Sequence, residues 1–145
     1  MSSNKAAAAR HDFDSIVEGA AVSRDYVIAA DTSQHFIAAF GDVSPLHVSD
    51  EYARAHGFAG KVAHGGILNG FISHFVGMHF PGEPAVLQSV DIQFKTPSHL
   101  NDVIRLEALV SQKIEAVRVI VLDIQFRNLT QGRLAARARV QVGVR

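Results

Sequence analysis

The sequence contains no cysteine, which excludes disulfides, thiolate metal sites and covalent catalysis by a thiol. No apolar run in it approaches the ~20 residues that span a bilayer. Charge of either sign is not in excess, since fourteen basic and fourteen acidic side chains cancel. That balance gives no footing for a polyanionic partner such as nucleic acid, and any anionic ligand must be met by a few local cations. Glycine-rich phosphate loops of the Walker or dinucleotide type are missing, as are internal repeats and linkers. The first residues carry only four consecutive alanines, at positions 6–9, too few for the hydrophobic segment of a secretory signal. They are expected to form a flexible leader (residues 1–12) before one domain (residues 13–145) of a cytoplasmic protein.

What is present is a chain of 145 residues, 48% hydrophobic and 19% charged, enough for one good core. The apolar surplus fits a protomer that hides part of its surface against a copy of itself. Loose alternation over residues 20–29, with Val22, Tyr26, Val27 and Ile28, predicts a first strand. Asp31, Thr32 and Ser33 offer caps for a short helix through Phe36, Ile37, Ala39 and Phe40, which Gly41 ends and Pro45 cannot continue. Ser49 or Asp50 can cap a second short helix over residues 51–56. Residues 67–80 then place Ile67, Leu68, Phe71, Ile72, Phe75 and Val76 at helical spacing, a helix apolar almost all round and so expected to be buried. Gly70 and Gly77 cost it roughly 1 kcal/mol each against alanine, which suggests close approach of backbone or ligand there. Strands are expected over residues 86–94, 103–111, 117–127 and 134–144, the last two joined by a hairpin-like turn from Asn128 to Gly132. The fold class is therefore α+β, one antiparallel sheet curled around one long hydrophobic helix.

Two features carry chemistry. In Phe40-Gly41-Asp42-Val43-Ser44-Pro45-Leu46-His47, an Asp and a His lie five apart across a turn stiffened by Gly41 and Pro45. A helix would put them nearly on opposite sides, whereas a tight loop aims both into one cleft. A carboxylate and an imidazole are well suited to proton transfer near neutral pH. Asp before a turn is also a common Asx-turn residue, and a His near a helix start is often merely exposed. The second feature is His64-Gly65-Gly66, where the buried helix begins. Free backbone N–H groups there form an electropositive spot that glycine leaves open to a thioester carbonyl and the enolate oxygen growing from it. A hinge before a helix has the same composition.

Together these features resemble the MaoC-like dehydratases, or (R)-specific enoyl-CoA hydratases, whose loop reads roughly (S/A)-G-D-x-N-P-x-H. The resemblance continues through Tyr52-Ala53, Phe58-Ala59-Gly60-Lys61-Val62-Ala63-His64-Gly65 and Ser89-Val90-Asp91-Ile92-Gln93-Phe94-Lys95-Thr96-Pro97, covering about residues 18–143. It implies a single hot-dog domain and reversible syn hydration of trans-2-enoyl thioesters to (R)-3-hydroxyacyl thioesters. It implies that Asp42 and His47 are the catalytic pair that holds water, one taking its proton and the other protonating C2, and that Gly65 offers the oxyanion-hole N–H. Gly66, Ser44, His64 and Ser73 would complete the substrate-binding set. The resemblance further implies an acyl-CoA or acyl-carrier-protein thioester as substrate, no cofactor, and a homodimer or larger homo-oligomer. Ser44 departs from the pattern, replacing the family's Asn with a shorter hydroxyl that still forms hydrogen bonds. Lys61 and Lys95 are candidates for CoA phosphates.

No metal site is expected. His74 and His79 are five apart, which is wrong for the i, i+4 chelation of a helical zinc pair. Two other readings fit a hot-dog fold: an acyl-CoA thioesterase and a non-catalytic acyl-thioester-binding protein. A thioesterase would usually bring a carboxylate from the long helix, and residues 67–80 hold neither Asp nor Glu.

Overall fold

The computed structural model describes residues 6–145. Five strands form one antiparallel sheet in the order β1-β3-β4-β5-β2, with β1 Ala21–Val27, β2 Ala85–Phe94, β3 Val103–Ile114, β4 Val119–Asn128 and β5 Arg133–Val144. Between β1 and β2 run α1 (Ala30–Phe40), α2 (Pro45–Val48), α3 (Asp50–Ala55) and α4 (Gly66–His74), the last continued by a π-helical turn, Phe75–His79. This is the α+β architecture that the sequence pattern predicts, a curved sheet on one hydrophobic helix. Period-two alternation sends Ile104, Leu106, Ala108 and Val110 of β3 inward, and Ile120, Leu122, Ile124 and Phe126 of β4 beside them. Against this concave face α4 presents Ile67, Leu68, Phe71 and Ile72, and the π turn adds Phe75 and Val76.

The helix is not buried all round, as its composition suggested. Asn69, Gly70, Ser73 and His74 are exposed, because the sheet covers one side of α4 and α1 only partly covers the other. Nor does any protein atom come within 4 Å of a side chain imagined at Gly70 or Gly77, so backbone packing does not account for these glycines. α1 begins one residue before the expected caps. Ala29 occupies the cap position, while the Asp31 carboxylate takes the N–H of Thr32. Ser49 caps α3 as expected, accepting from the Tyr52 N–H at 3.1 Å. The strand expected from residue 117 starts at Val119, since Glu115–Val117 form a 3-10 turn closed by Arg118 in the left-handed region (φ 51°).

Of the expected leader, residues 1–5 lie outside the described residues. The rest is partly held: Ala9 N–H donates to the Met78 carbonyl, Glu83 N–H to the Ala9 carbonyl, and Arg10 bridges to Gly82. Among the described residues, backbone hydrogen bonds to the rest of the chain are thus already made at Ala9. Because Phe75 is fully buried in the core cluster, Phe75→Ala should lower unfolding free energy by about 3–5 kcal/mol in urea titrations. A loss under 1 kcal/mol would show that the helix is not the centre of the core.

Candidate functional site

Gly41 leaves α1 in the left-handed region (φ 69°), which turns the chain sharply into Asp42. The Asp42 carboxylate accepts the Ser44 N–H at 3.2 Å, an Asx turn, and Pro45 then opens the single turn of α2 that carries His47. Asp42 thus lies outside the helix and His47 inside it, which is how residues five apart come to share one side. The imidazole, carboxylate and second imidazole of His47, Asp42 and His64 have ligand-type atoms within 4.8 Å of one another.

Hydrogen bonds fix both rings. His47 Nδ1 lies 2.7 Å from the Val62 carbonyl, which can only accept, so Nδ1 carries the hydrogen and Nε2 is the free nitrogen. His64 Nε2 lies 2.9 Å from the Asp42 carbonyl and therefore donates to it, with the Asp42 carboxylate 3.9 Å away. The other nitrogen of His64, Nδ1, is buried without a partner, and a proton there would be an unpaired buried donor. The two rings stack at 4.0 Å between centroids, with Phe36 at 4.6 Å from the outer face of His64. These three side chains have the spacing to hold a metal ion, but His64 would have to surrender its bond to the Asp42 carbonyl to ligate one through Nε2.

A cavity of about 460 Å³ opens beside them, lined by His47, His64, Gly65, Leu68, Phe94 and Lys95 among others. Gly65 precedes α4, and no backbone carbonyl outside the helix receives its N–H. A β-carbon at Gly65 would stand 2.9 Å from the Phe94 ring and one at Gly66 2.7 Å from the Phe36 ring, so a larger residue at either position would have to push an aromatic ring aside. The structure thus brings Asp42, His47 and His64 together, sets Gly65 in the cavity that both imidazoles line, and ties in Ser44 through its backbone N–H, whereas Gly66 lines a neighbouring cleft. Lys95 lines the cavity, with its Nζ on Gln93 rather than on a carboxylate. Lys61 lies instead in a shallow hollow beside Asp50 and His99.

Ser73 is placed elsewhere. It lines a second, larger cleft of about 970 Å³ between β1, α1 and α4, on the far side of Phe36 and Gly66. There the Tyr26 hydroxyl and His74 Nδ1 are 2.9 Å apart, and the Tyr26 ring stacks on Phe71 at 4.5 Å. Burial pushes the Tyr26 phenol up to about 12, against a smaller opposing pull from Arg24. Burial also holds His74 below the usual histidine value, aided by repulsion from Arg24 and His79. Sequence reasoning did not find this pair, whose members are 48 residues apart and carry no motif.

Two outcomes follow. His64→Leu leaves the Asp42 carbonyl without its donor and should cost about 1–3 kcal/mol of stability, whereas His64→Gln, which keeps a donor, should recover much of it. Equal losses in urea unfolding would mean the bond contributes nothing. In alkaline titration read at 295 nm, Tyr26 should ionise near 12. Its raised native pKa means that stability is unaffected below about 10, the unfolded value, and falls as pH rises from there towards 12. Loss of that late step in Tyr26→Phe would identify it, and a single step near 10 for both tyrosines would contradict the burial.

Residues 12–128 match the MaoC like domain family. The chain is 32% identical over 94 residues to an (R)-specific enoyl-CoA hydratase of Rhodospirillum rubrum, covering 65% of each protein. It is also 32% identical over 74 residues to a 3-hydroxybutyryl-CoA dehydratase of Methylorubrum extorquens, covering 51% of this chain and 47% of that one. The matches thus span less than two thirds of the length of these relatives. Among solved structures, the (R)-hydratase of A. caviae involved in PHA biosynthesis superposes with a TM-score of 0.83 at 23% identity, covering 90% of this chain and 98% of the other. The fold is therefore the hot-dog fold, and the chain belongs to the MaoC-like dehydratase domain family.

Proposed function

We propose that this protein is a hydro-lyase that reversibly hydrates trans-2-enoyl thioesters to (R)-3-hydroxyacyl thioesters. The observation that carries this reading is the fixed tautomer of His47. With Nδ1–H given to the Val62 carbonyl, its Nε2 lone pair is free beside the Asp42 carboxylate and the cavity that Gly65 lines. Water held between Nε2 and Asp42 loses a proton to His47 as its oxygen attacks C3 of the enoyl group. Negative charge moves to the thioester oxygen, where the Gly65 N–H at the start of α4 receives it. The proton on His47 then passes to C2 from the same face, which gives syn addition and regenerates the base. The Asp42 carboxylate stabilises the intervening imidazolium throughout. The names of the relatives in R. rubrum and M. extorquens support the same chemistry.

His64 serves as a positioning residue in this scheme, anchoring the Asp42 backbone and stacking on His47. Ser44 orders the loop through its N–H, which any residue at this position except proline supplies, so its side chain is not required for that bond. Gly66 keeps room for Phe36. Lys95, free of carboxylate partners, faces the phosphates of a CoA carrier, and an acyl-carrier protein is the alternative donor of the thioester. The chemistry as drawn uses no cofactor. Strand β2 pairs with β5 on one side only and exposes Leu87, Val90 and Phe94, a suitable edge for a second copy in a homodimer. We assign the protein to fatty-acid metabolism in the cytoplasm, where CoA thioesters are met. No helix among the described residues is long and apolar enough to cross a membrane.

Crotonyl-CoA tests the reading directly. The wild-type protein should remove the absorbance of the conjugated thioester, with kcat/KM about a hundredfold lower or worse in Asp42→Asn and in His47→Gln. Hydration indifferent to both substitutions would refute the assignment. Release of free CoA without hydration would establish a thioesterase instead, and binding without turnover a carrier of acyl thioesters.

A further inference from the structure

The second cleft has three properties that bear on what it could hold. Its one guanidinium has no counter-charge: Arg24 lines it beside His35 and His74, and no Asp or Glu does. Arg24 forms no ion pair among the described residues, for the adjacent Asp25 is engaged by Arg105 at 2.8 Å and Asp31 holds the Thr32 N–H. Alternation along β1 places Arg24 on the same face as Tyr26, towards the cleft. Second, its floor on α4 is bare: Gly66 and Gly70 line it, and nothing lies within 4 Å of a β-carbon at Gly70. Third, its polar pair is preset. The Tyr26 hydroxyl and His74 Nδ1 hold each other at 2.9 Å, which leaves His74 Nε2 without a hydrogen-bond partner among the described residues.

The cleft also starts where the catalytic cavity ends. Gly65 lines one and Gly66 the other, with the Phe36 ring as the partition between them. From Gly65 to His74 the helix rises by about 13 Å, the reach of a medium-length acyl chain. A purely hydrocarbon chain end would cover the Arg24 guanidinium with methylenes that give its donors no partner, which is costly. An acid group there would satisfy those donors.

We propose that this cleft receives the far end of the acyl chain and selects enoyl thioesters whose chain ends in a carboxylate, held by Arg24 and His74 over the glycine floor of α4. The assignment rests on the hydratase reading for its link to turnover, but not for binding. Arg24 and His74 are specificity residues here and touch no reacting atom.

The test compares trans-2-decenoyl-CoA with trans-2-decenedioyl-CoA, which differ only at the chain end. Wild-type kcat/KM should favour the acid-ended substrate by about tenfold at low salt, and the preference should shrink as sodium chloride is raised. Arg24→Gln should bring the ratio near one, and Arg24→Lys, which keeps the charge but not the fork, should leave it intermediate. In parallel, calorimetry on Asp42→Asn measures binding of decanoyl-CoA and decanedioyl-CoA. An Arg24-dependent preference for the diacid thioester in this assay, with wild-type protein that hydrates neither crotonyl-CoA nor the ten-carbon substrates, would uphold the cleft and sink the hydratase. Hydration of crotonyl-CoA with no preference between the two ten-carbon substrates, or a preference that survives Arg24→Gln unchanged, would overturn the cleft assignment alone.

Discussion

Everything in this structure depends on one face of α4 being driven into the concave side of the sheet. Ile67, Leu68, Phe71 and Ile72, with Phe75 and Val76 beyond them, are buried against β3, β4 and β5. At roughly 1.5–3 kcal/mol for each large side chain removed from water, that contact outweighs any polar interaction in the molecule. It also decides the helix's rotation. Once the apolar face is committed, Gly65 must stand at the mouth of one cavity while Gly66, Gly70, Ser73 and His74 face another. The reactive centre is thus a by-product of core packing in position, though not in chemistry.

The chemistry is set by carbonyl groups rather than by charge. A carbonyl from Val62 and one from Asp42 each accept from an imidazole, and so fix the two rings in opposite tautomers. One ring is left with a free nitrogen next to the cavity, the other with a buried nitrogen that has no partner. The two imidazoles stack 4.0 Å apart. A buried polar network elsewhere supports the frame: the Asp102 carboxylate receives the His99 N–H, Asn128 Nδ2 and Gln131 Nε2, tying the β4–β5 turn to the loop before β3.

Where the physics is local, the sequence was readable. Gly41 and Pro45 announce the turn that exposes Asp42 and His47, and His64-Gly65-Gly66 announces the free helix start. Period-two runs located all four later strands to within a few residues. Where a feature depends on distant segments meeting, the sequence was mute. Tyr26 and His74 carry no mutual signature, and their contact follows from β1 pairing with β3, in the register Tyr26↔Ile104, while α4 lies across both. The exposed flank of α4 was misjudged for a related reason. Composition reports that a helix is apolar, but only tertiary packing decides which side is covered. Ser73, which the resemblance places in the substrate-binding set, lines the cleft beyond Phe36.

The most direct measurement of the central proposal is the stereochemistry of hydration in deuterium oxide, read by NMR on the product from crotonyl-CoA. One base that takes water's proton and returns it to C2 on the same face should give a single diastereomer, (R) at C3, with one deuterium at C2 in the syn position. An (S) product, an anti or scrambled deuterium, or free crotonic acid in place of the hydroxyacyl thioester would contradict the role given to Asp42, His47 and Gly65.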